Sequence, residues 1–362
     1  MKAAVLKQFG SPLAIETLPD PTLGTGEVIV DVMASRVLAY ANEVLSGERK
    51  YLMELPMVPG PGAIGRVRAS GPDATHLAAG DWVYCDPTVR SRDDARSPDI
   101  ALQGLTAGSE AGLRLQRYFH DGAWAEQMRV PTENAIRLGT IAEADAARWC
   151  ALGTLLVPYG GFLAAELRAG ESVLVNGATG SFGGAAVAVA LGMGASCVIA
   201  TGRNEPALAD LVRRFGPRVR TVQMRGDEES DRQRILQAAP GPIDCVLDIL
   251  PPAANTMQVR TAIMAVRPYG RVVLMGGVGK DGAGLDLPYP WMMQNCITVR
   301  GQFMYPPHAT ILMTGLIQAG LISLDQFHVT TFNLDDANAA VAHAAKDSGA
   351  FRMTVIQPRQ PR

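Results

Sequence analysis

The sequence predicts an α/β protein in which an antiparallel β half is followed by a doubly wound, parallel-sheet half. Three observations carry that expectation. Up to about residue 136 the apolar residues come in short, β-branched runs separated by Pro, Gly and Asp clusters. From residue 172 onward, strand-like and helix-like segments alternate. Between the first of those strands and the first of those helices lies a turn with glycine at every third position.

In the first half, residues 1–6, 26–33, 63–69 and 82–85 read as strands, and the Arg/Asp-rich stretch Arg90–Asp99 reads as an exposed loop. Ala146–Leu167 carries Ala and Leu at helical spacing, and Gly170 suits its C-terminal end. Strands are then expected at 172–176, 196–201, 219–223, 243–248 and 271–275, with helices at 183–193, 205–215, 230–238 and 253–266 between them. Parallel strands need crossovers of this length, so the pattern specifies βαβ units covered on both faces. The tail adds a helix at 308–319, a strand at 328–333, a helix at 335–346 and a strand at 352–356.

A chain of 362 residues exceeds one ordinary core and suits two domains. With 48% hydrophobic and 19% charged residues it can pack a core rather than stay disordered. Lys and Arg total 33 against 35 Asp and Glu, a balance that gives no electrostatic reason to expect nucleic acid or an anionic membrane as partner. Cys85, Cys150, Cys197, Cys245 and Cys296 stand singly without a CxxC pair. That pattern is neither a disulfide framework nor a structural zinc lobe, and it fits free thiols in the reducing cytoplasm. The apolar start is too short for a signal peptide. The uncharged stretch Ser172–Gly202 carries Asn176 and clustered glycines, which suits a buried strand–turn–helix–strand unit better than a membrane span.

The most informative residues are Gly177-Ala178-Thr179-Gly180-Ser181-Phe182-Gly183, entered from a strand and left through a helix of small residues. Such a turn lets backbone N–H groups approach a pyrophosphate at a helix N-terminus, so these seven residues are read as binding a dinucleotide. Glycine triplets also serve turns for geometry alone, and it is the strand–turn–helix setting that favours the ligand. At the end of the second strand an acid would bind a ribose 2′-OH, whereas Gly202-Arg203-Asn204 leaves space and a guanidinium for a 2′-phosphate. NADPH is the cofactor expected. Gly276-Gly277-Val278, after a later strand, is placed against the same cofactor.

With these residues in hand, the chain resembles the medium-chain dehydrogenase/reductase superfamily, and within it the zinc-free quinone oxidoreductase and enoyl reductase branch. Met1-Lys-Ala-Ala-Val, Gly26-Glu-Val, Val58-Pro-Gly60, Gly65-Arg-Val, Gly80-Asp-Trp-Val83 and Gly122-Ala-Trp-Ala-Glu126 look like its N-terminal landmarks, and Gly170–Gly180 and Gly270-Arg-Val-Val like those of its cofactor domain. The resemblance implies a GroES-like substrate domain over 1–136, a Rossmann cofactor domain over 137–303 and a return to the first domain over 304–362. It also implies a homodimer, with an edge strand near Ile297–Phe303 as the pairing element.

Zinc-dependent members carry ligands where this chain has Leu38 and Gly60-Pro61-Gly62, and no leucine, proline or glycine side chain ligates zinc. A loop over about 86–116 takes the place of the structural zinc lobe. No metal site is expected. By family position the substrate-facing stretch is Ser35–Asn42, followed by Tyr51. Tyr40, and after it Tyr51, is the expected proton donor or substrate contact, the alternative being that each merely packs. Trp124, Tyr159 and Tyr305 stand as pocket walls on family position, and Asp248 as a cofactor-facing or loop-ordering carboxylate.

Without a metal to polarise an oxygen, hydride addition to an activated C=C bond or a quinone is the expected reaction, on a small electrophilic substrate. A zinc-independent reduction of an aldehyde or ketone is the alternative, and a cofactor-binding protein without turnover is the third.

Overall fold

The computed structural model describes residues 1–279, 282 and 284–359. The chain forms two compact units, one from Met1–Gly153 with Leu324–Ser348 and the segment from Arg352 onward, the other from Thr154–Ser323 with Gly349–Phe351. The sequence places the changes of domain at 137 and 304. The units instead divide after Gly153 and Ser323, because the short helix Ala146–Trp149 packs on strands of the first unit and the helix Ala309–Gln318 stays with the second.

The first unit is built on a seven-stranded sheet containing β1 (Glu27–Val37), β2 (Ala63–Ser70), β3 (Trp82–Cys85), β4 (Gln127–Pro131) and β5 (Ala135–Arg137). Its order is β5-β3-β2-β1, then Arg352–Gln357, then His328–Asn333, with β4 also on β1. Every pairing is antiparallel except that of the two C-terminal strands, which run parallel. Val28, Val30 and Val32 alternate onto one face of β1 and meet Val67, Val83, Met128 and Val130 in one core. β1 runs four residues past the expected 26–33, since Ser35 and Arg36 are polar yet buried. The Ser35 hydroxyl is satisfied by donating to the Gly62 carbonyl at 2.9 Å.

The stretch expected to be a loop over about 86–116 carries three strands of two or three residues, at Thr88–Arg90, Ile100–Leu102 and Thr106–Ala107. Helix α1 follows over Glu110–Tyr118, capped by the Ser109 hydroxyl accepting from Gly112 N–H at 3.0 Å. Strands that short lack a readable alternation. The expected helix over 146–167 is two helices, because i→i−3 bonds tighten the chain at Cys150 and Ala151 before Leu152–Ala164 begins.

The second unit is a six-stranded, wholly parallel sheet. In chain order its strands are β6 (Ser172–Asn176), β7 (Cys197–Gly202), β8 (Val219–Gln223), β9 (Cys245–Asp248), β10 (Arg271–Leu274) and β11 (Thr298–Gly301). Their spatial order is β8-β7-β6-β9-β10-β11. Strand order therefore reverses at β6, and in open α/β sheets the crevice beyond such a reversal is where ligands bind. β6 and β7 are buried on both faces, which explains their continuous apolar runs. No helix among the described residues is long and apolar enough to cross a membrane.

Candidate active site

The turn after β6 stands at this reversal. Gly177 takes φ +97°, a region costly for residues with a Cβ, and the Ala178 N–H donates to the Thr201 carbonyl at 2.8 Å. Helix α2 (Ser181–Gly192) starts after Gly180, and no side chain caps its first turn. A Cβ on Gly183 would lie 2.0 Å from the Gly177 carbonyl oxygen, so only glycine lets the helix begin this close to the strand. Ala178 is fully buried and holds the turn in place. Thr179, Ser181 and Phe182 are half-buried, and Gly180 is exposed.

Two further strand ends of the same sheet, those of β7 and β10, carry the other expected glycines. A Cβ on Gly202 would lie 2.5 Å from the Thr179 methyl, and one on Gly276 would lie 2.7 Å from the Leu250 carbonyl oxygen. The Gly277 N–H donates to that same carbonyl at 2.9 Å. Val278 packs against the sheet's apolar cluster with Leu250 and Trp291, anchoring the loop. The residues expected from sequence at 177–183, 202 and 276–278 thus lie at strand ends of one sheet, the first two at the neighbouring β6 and β7 and the third at β10, with β9 between. Arg203 is exposed beside them, and no carboxylate pairs with it among the described residues. Asn204 is occupied within the chain, where its side-chain oxygen accepts from Ala207 N–H at 3.1 Å and caps helix α3 (Glu205–Phe215). A backbone cradle that a Cβ would fill, with a guanidinium at its edge, fits a phosphorylated dinucleotide.

Beneath the cradle runs a buried polar row that the sequence does not reveal. The Thr201 hydroxyl donates to Asn176 Oδ1 at 2.9 Å, and Asn176 Nδ2 donates to Asp248 Oδ1 at 2.8 Å. These residues are register partners on β7, β6 and β9. Burial pushes the Asp248 carboxyl up to about 7, against the hydrogen bonds from Asn176 and the Leu250 N–H that hold it down.

In the first unit the two expected tyrosines come together. Tyr40 and Tyr51 are hydrogen-bonded to each other, and Arg49 stacks its guanidinium 4.0 Å from the Tyr40 ring centre while bonding Tyr51 and Glu43. Burial and the Tyr51 hydroxyl raise the pKa of Tyr40 well above the usual phenol range, so it stays protonated. Arg36 is buried facing Tyr40, Tyr84 and Cys150, and burial lowers its pKa. Burial likewise pushes the Cys150 thiol up to about 12. Arg36 belongs to the substrate-facing stretch read from the sequence, but its burial is not legible there, and Arg49 and Tyr84 carry no local motif and join the tyrosines only through the fold.

Two family models match the chain: the alcohol dehydrogenase GroES-like domain over residues 24–140, and the zinc-binding dehydrogenase over residues 182–319. L-threonine 3-dehydrogenase of Streptomyces coelicolor is 25% identical, over 96% of this chain and 97% of that protein. Acryloyl-coenzyme A reductase of Metallosphaera sedula is 28% identical over 77% of each. A protein of Sinorhizobium meliloti 1021, described as a zinc-binding dehydrogenase and solved bound to NADP, superposes with a TM-score of 0.77 at 20% identity over 99% of both chains. The chain belongs to the medium-chain dehydrogenase/reductase family and is an oxidoreductase with a GroES-like and a Rossmann domain. The zinc named for the second family model does not fit the residues present. Among the described residues no three His, Cys, Asp or Glu side chains gather as a metal would require, and Leu38, Pro61 and Gly62 offer no ligating side-chain atom.

Proposed function

We propose that this oxidoreductase is a zinc-independent, NADPH-dependent reductase of an activated C=C bond or a quinone. The observation that carries the reading is the hydrogen-bonded Tyr40–Tyr51 pair, held by Arg49 just beyond Leu38 in a stretch without a ligating cluster. Such a pair suits proton delivery rather than metal coordination. NADPH, when bound, supplies the hydride that adds to the β-carbon of a conjugated carbonyl. The chain's own residues do the rest. The 177–183 turn binds the pyrophosphate, Arg203 the 2′-phosphate, and Gly276, Gly277 and Val278 border the nicotinamide end. Tyr40 holds the proton that the resulting enolate takes up, and Tyr51 orients it. The Metallosphaera relative is named for reducing a conjugated thioester, which supports this class.

A second reading, zinc-independent carbonyl reduction, is favoured by the threonine dehydrogenase relative, which aligns along nearly the whole chain. The edge position of β11 in its sheet supports pairing of two copies through that strand. NADPH oxidation with an enone, a quinone and a saturated ketone, each with product analysis, tests the reading. Saturated ketone from the enone, or quinol, is the expected product. Turnover of the saturated ketone alone would move the assignment to carbonyl reduction, and binding of NADPH with no turnover would remove the enzymatic reading.

A further inference from the structure

Asp248, the last residue of β9, is a carboxylate held inside the second unit with 3% of its surface exposed. The groups that face it are neutral. Asn176 Nδ2, at the end of β6, donates to Oδ1 at 2.8 Å, and the Leu250 N–H donates to the carboxylate from the loop beyond β9. The other oxygen, Oδ2, lies against Gly276 beyond β10, where a Cβ would stand 2.8 Å from it. Among the described residues no charged side chain acts on this carboxylate. Charged residues on the elements packed around it pair elsewhere: Arg271 at the start of β10 with Glu171, and Arg260 of the helix Thr256–Ile263 with Glu228.

The polar row of which Asp248 is part does not itself require a charge. Asparagine at 248 would offer an oxygen to the same donors without the desolvation cost of a buried ion. A buried carboxylate with no cation beside it instead favours a positive charge that arrives with a ligand. Asp248 stands at the carboxyl end of its strand, the side on which open α/β sheets bind ligands. Its Oδ2 meets the first residue of the loop 276–278, placed above at the nicotinamide. An oxidised nicotinamide ring carries one positive charge and a reduced ring none, while the phosphates of the two forms are identical.

We propose that Asp248 sets the preference of the site between the two redox forms of its cofactor: as a carboxylate it favours the oxidised, cationic ring, and as a carboxylic acid it does not. The proposal rests on the reading of Gly276, Gly277 and Val278 as the nicotinamide border. No contact with the ring is needed, because a charge in the weakly screening interior acts over several ångströms. By linkage, the complex with NADPH holds more proton at Asp248 than the complex with NADP⁺. Burial places this carboxyl at about 7 in the free protein, so the change of preference falls near neutral pH. On the acid side of that point the spent cofactor loses its counter-charge and leaves more readily.

The test is calorimetric titration of the full chain with NADP⁺ and with NADPH, from about pH 6 to about pH 8.5. The phosphates occur in both ligands, so their own titration cancels in the ratio of the two dissociation constants. Kd for NADP⁺ divided by Kd for NADPH should fall roughly threefold or more over that interval in the natural chain. In Asp248→Asn the ratio should stay level. A second measurement needs no variant: near pH 7, displacement of NADP⁺ by NADPH should take up a fraction of a proton, read from the heats in two buffers of different ionisation enthalpy. A level ratio in the natural chain, or a displacement that releases protons or exchanges none, would overturn the proposal. So would the same fall in Asp248→Asn, which would move the titration to another group of the unit, such as the exposed His308. If neither form bound, the cofactor reading would fall as well, whereas tight binding of both with a level ratio overturns this proposal alone.

Discussion

Asp248 shows how one residue ties the sheet to solution conditions. Its carboxyl, ordinarily near 3.8, is pushed to about 7 by burial. Between those values the folded chain holds a proton that the unfolded chain has released, so this group's contribution to stability falls as pH rises from about 4 to 7 and is level above that. The whole effect amounts to at most ~4 kcal/mol. Asp248→Asn keeps an oxygen to accept from Asn176 and removes the titration. Its Tm relative to the natural chain should therefore rise steadily over that interval; a constant difference would place the titration elsewhere. Arg203 makes a second prediction at this scale. Loss of a charge-assisted bond of about 1.5–3 kcal/mol should weaken NADPH roughly 10- to 100-fold in Arg203→Ala. NADH should be almost unaffected in parallel calorimetric titrations, and equal weakening of both would take Arg203 out of the site. The place of Arg203 just beyond a strand of the βαβ series is legible in the sequence. The Thr201–Asn176–Asp248 row is not, since its members lie 25 and 72 residues apart and meet only through parallel register.

At the scale of elements, the β6–turn–α2 unit depends on the contact between Gly183 and Gly177. Placing a methyl 2.0 Å from a carbonyl oxygen forces the helix start away from the strand, at a cost of about 1–3 kcal/mol. Gly183→Ala should therefore lower Tm by several degrees and weaken NADPH and NADH alike, because the pyrophosphate cradle is shared. Unchanged affinity for both in a folded variant would mean that the cofactor does not use this turn. This element is legible because its signal is local: a strand, a spaced glycine series and an uncharged helix in sequence order. Helix α2 lacks an amphipathic stripe, since Gly183–Leu191 are buried, and only its position in the series identifies it. The helix Glu110–Tyr118 is the opposite case. Its Ser109 cap is present in the sequence, but the surrounding strands are too short to frame it. The end of β1 escapes because the polar Ser35 and Arg36 interrupt its apolar run, whereas in the fold both are buried and the Arg36 charge lies among Tyr40, Tyr84 and Cys150.

At the scale of the whole molecule, dependence on a metal turns on whether side chains able to ligate one come together. In relatives named for zinc, a metal can contribute to stability or activity; here the five histidines and five cysteines gather nowhere among the described residues. Cys85, Cys150 and Cys245 are buried, and their pKa values are raised by burial, which disfavours the thiolate that metals require. The protein purified in the presence of zinc and then dialysed should contain well under one zinc per chain by elemental analysis. Prolonged treatment with a chelator should leave its Tm unchanged, because a tightly bound structural metal would contribute folding free energy that its removal takes away. Reduction of an enone with NADPH should likewise survive the chelator. A stoichiometric metal whose removal lowers Tm or abolishes turnover would show ligands beyond side chains such as Leu38 and Pro61, and would return the chemistry to Lewis-acid polarisation of a carbonyl.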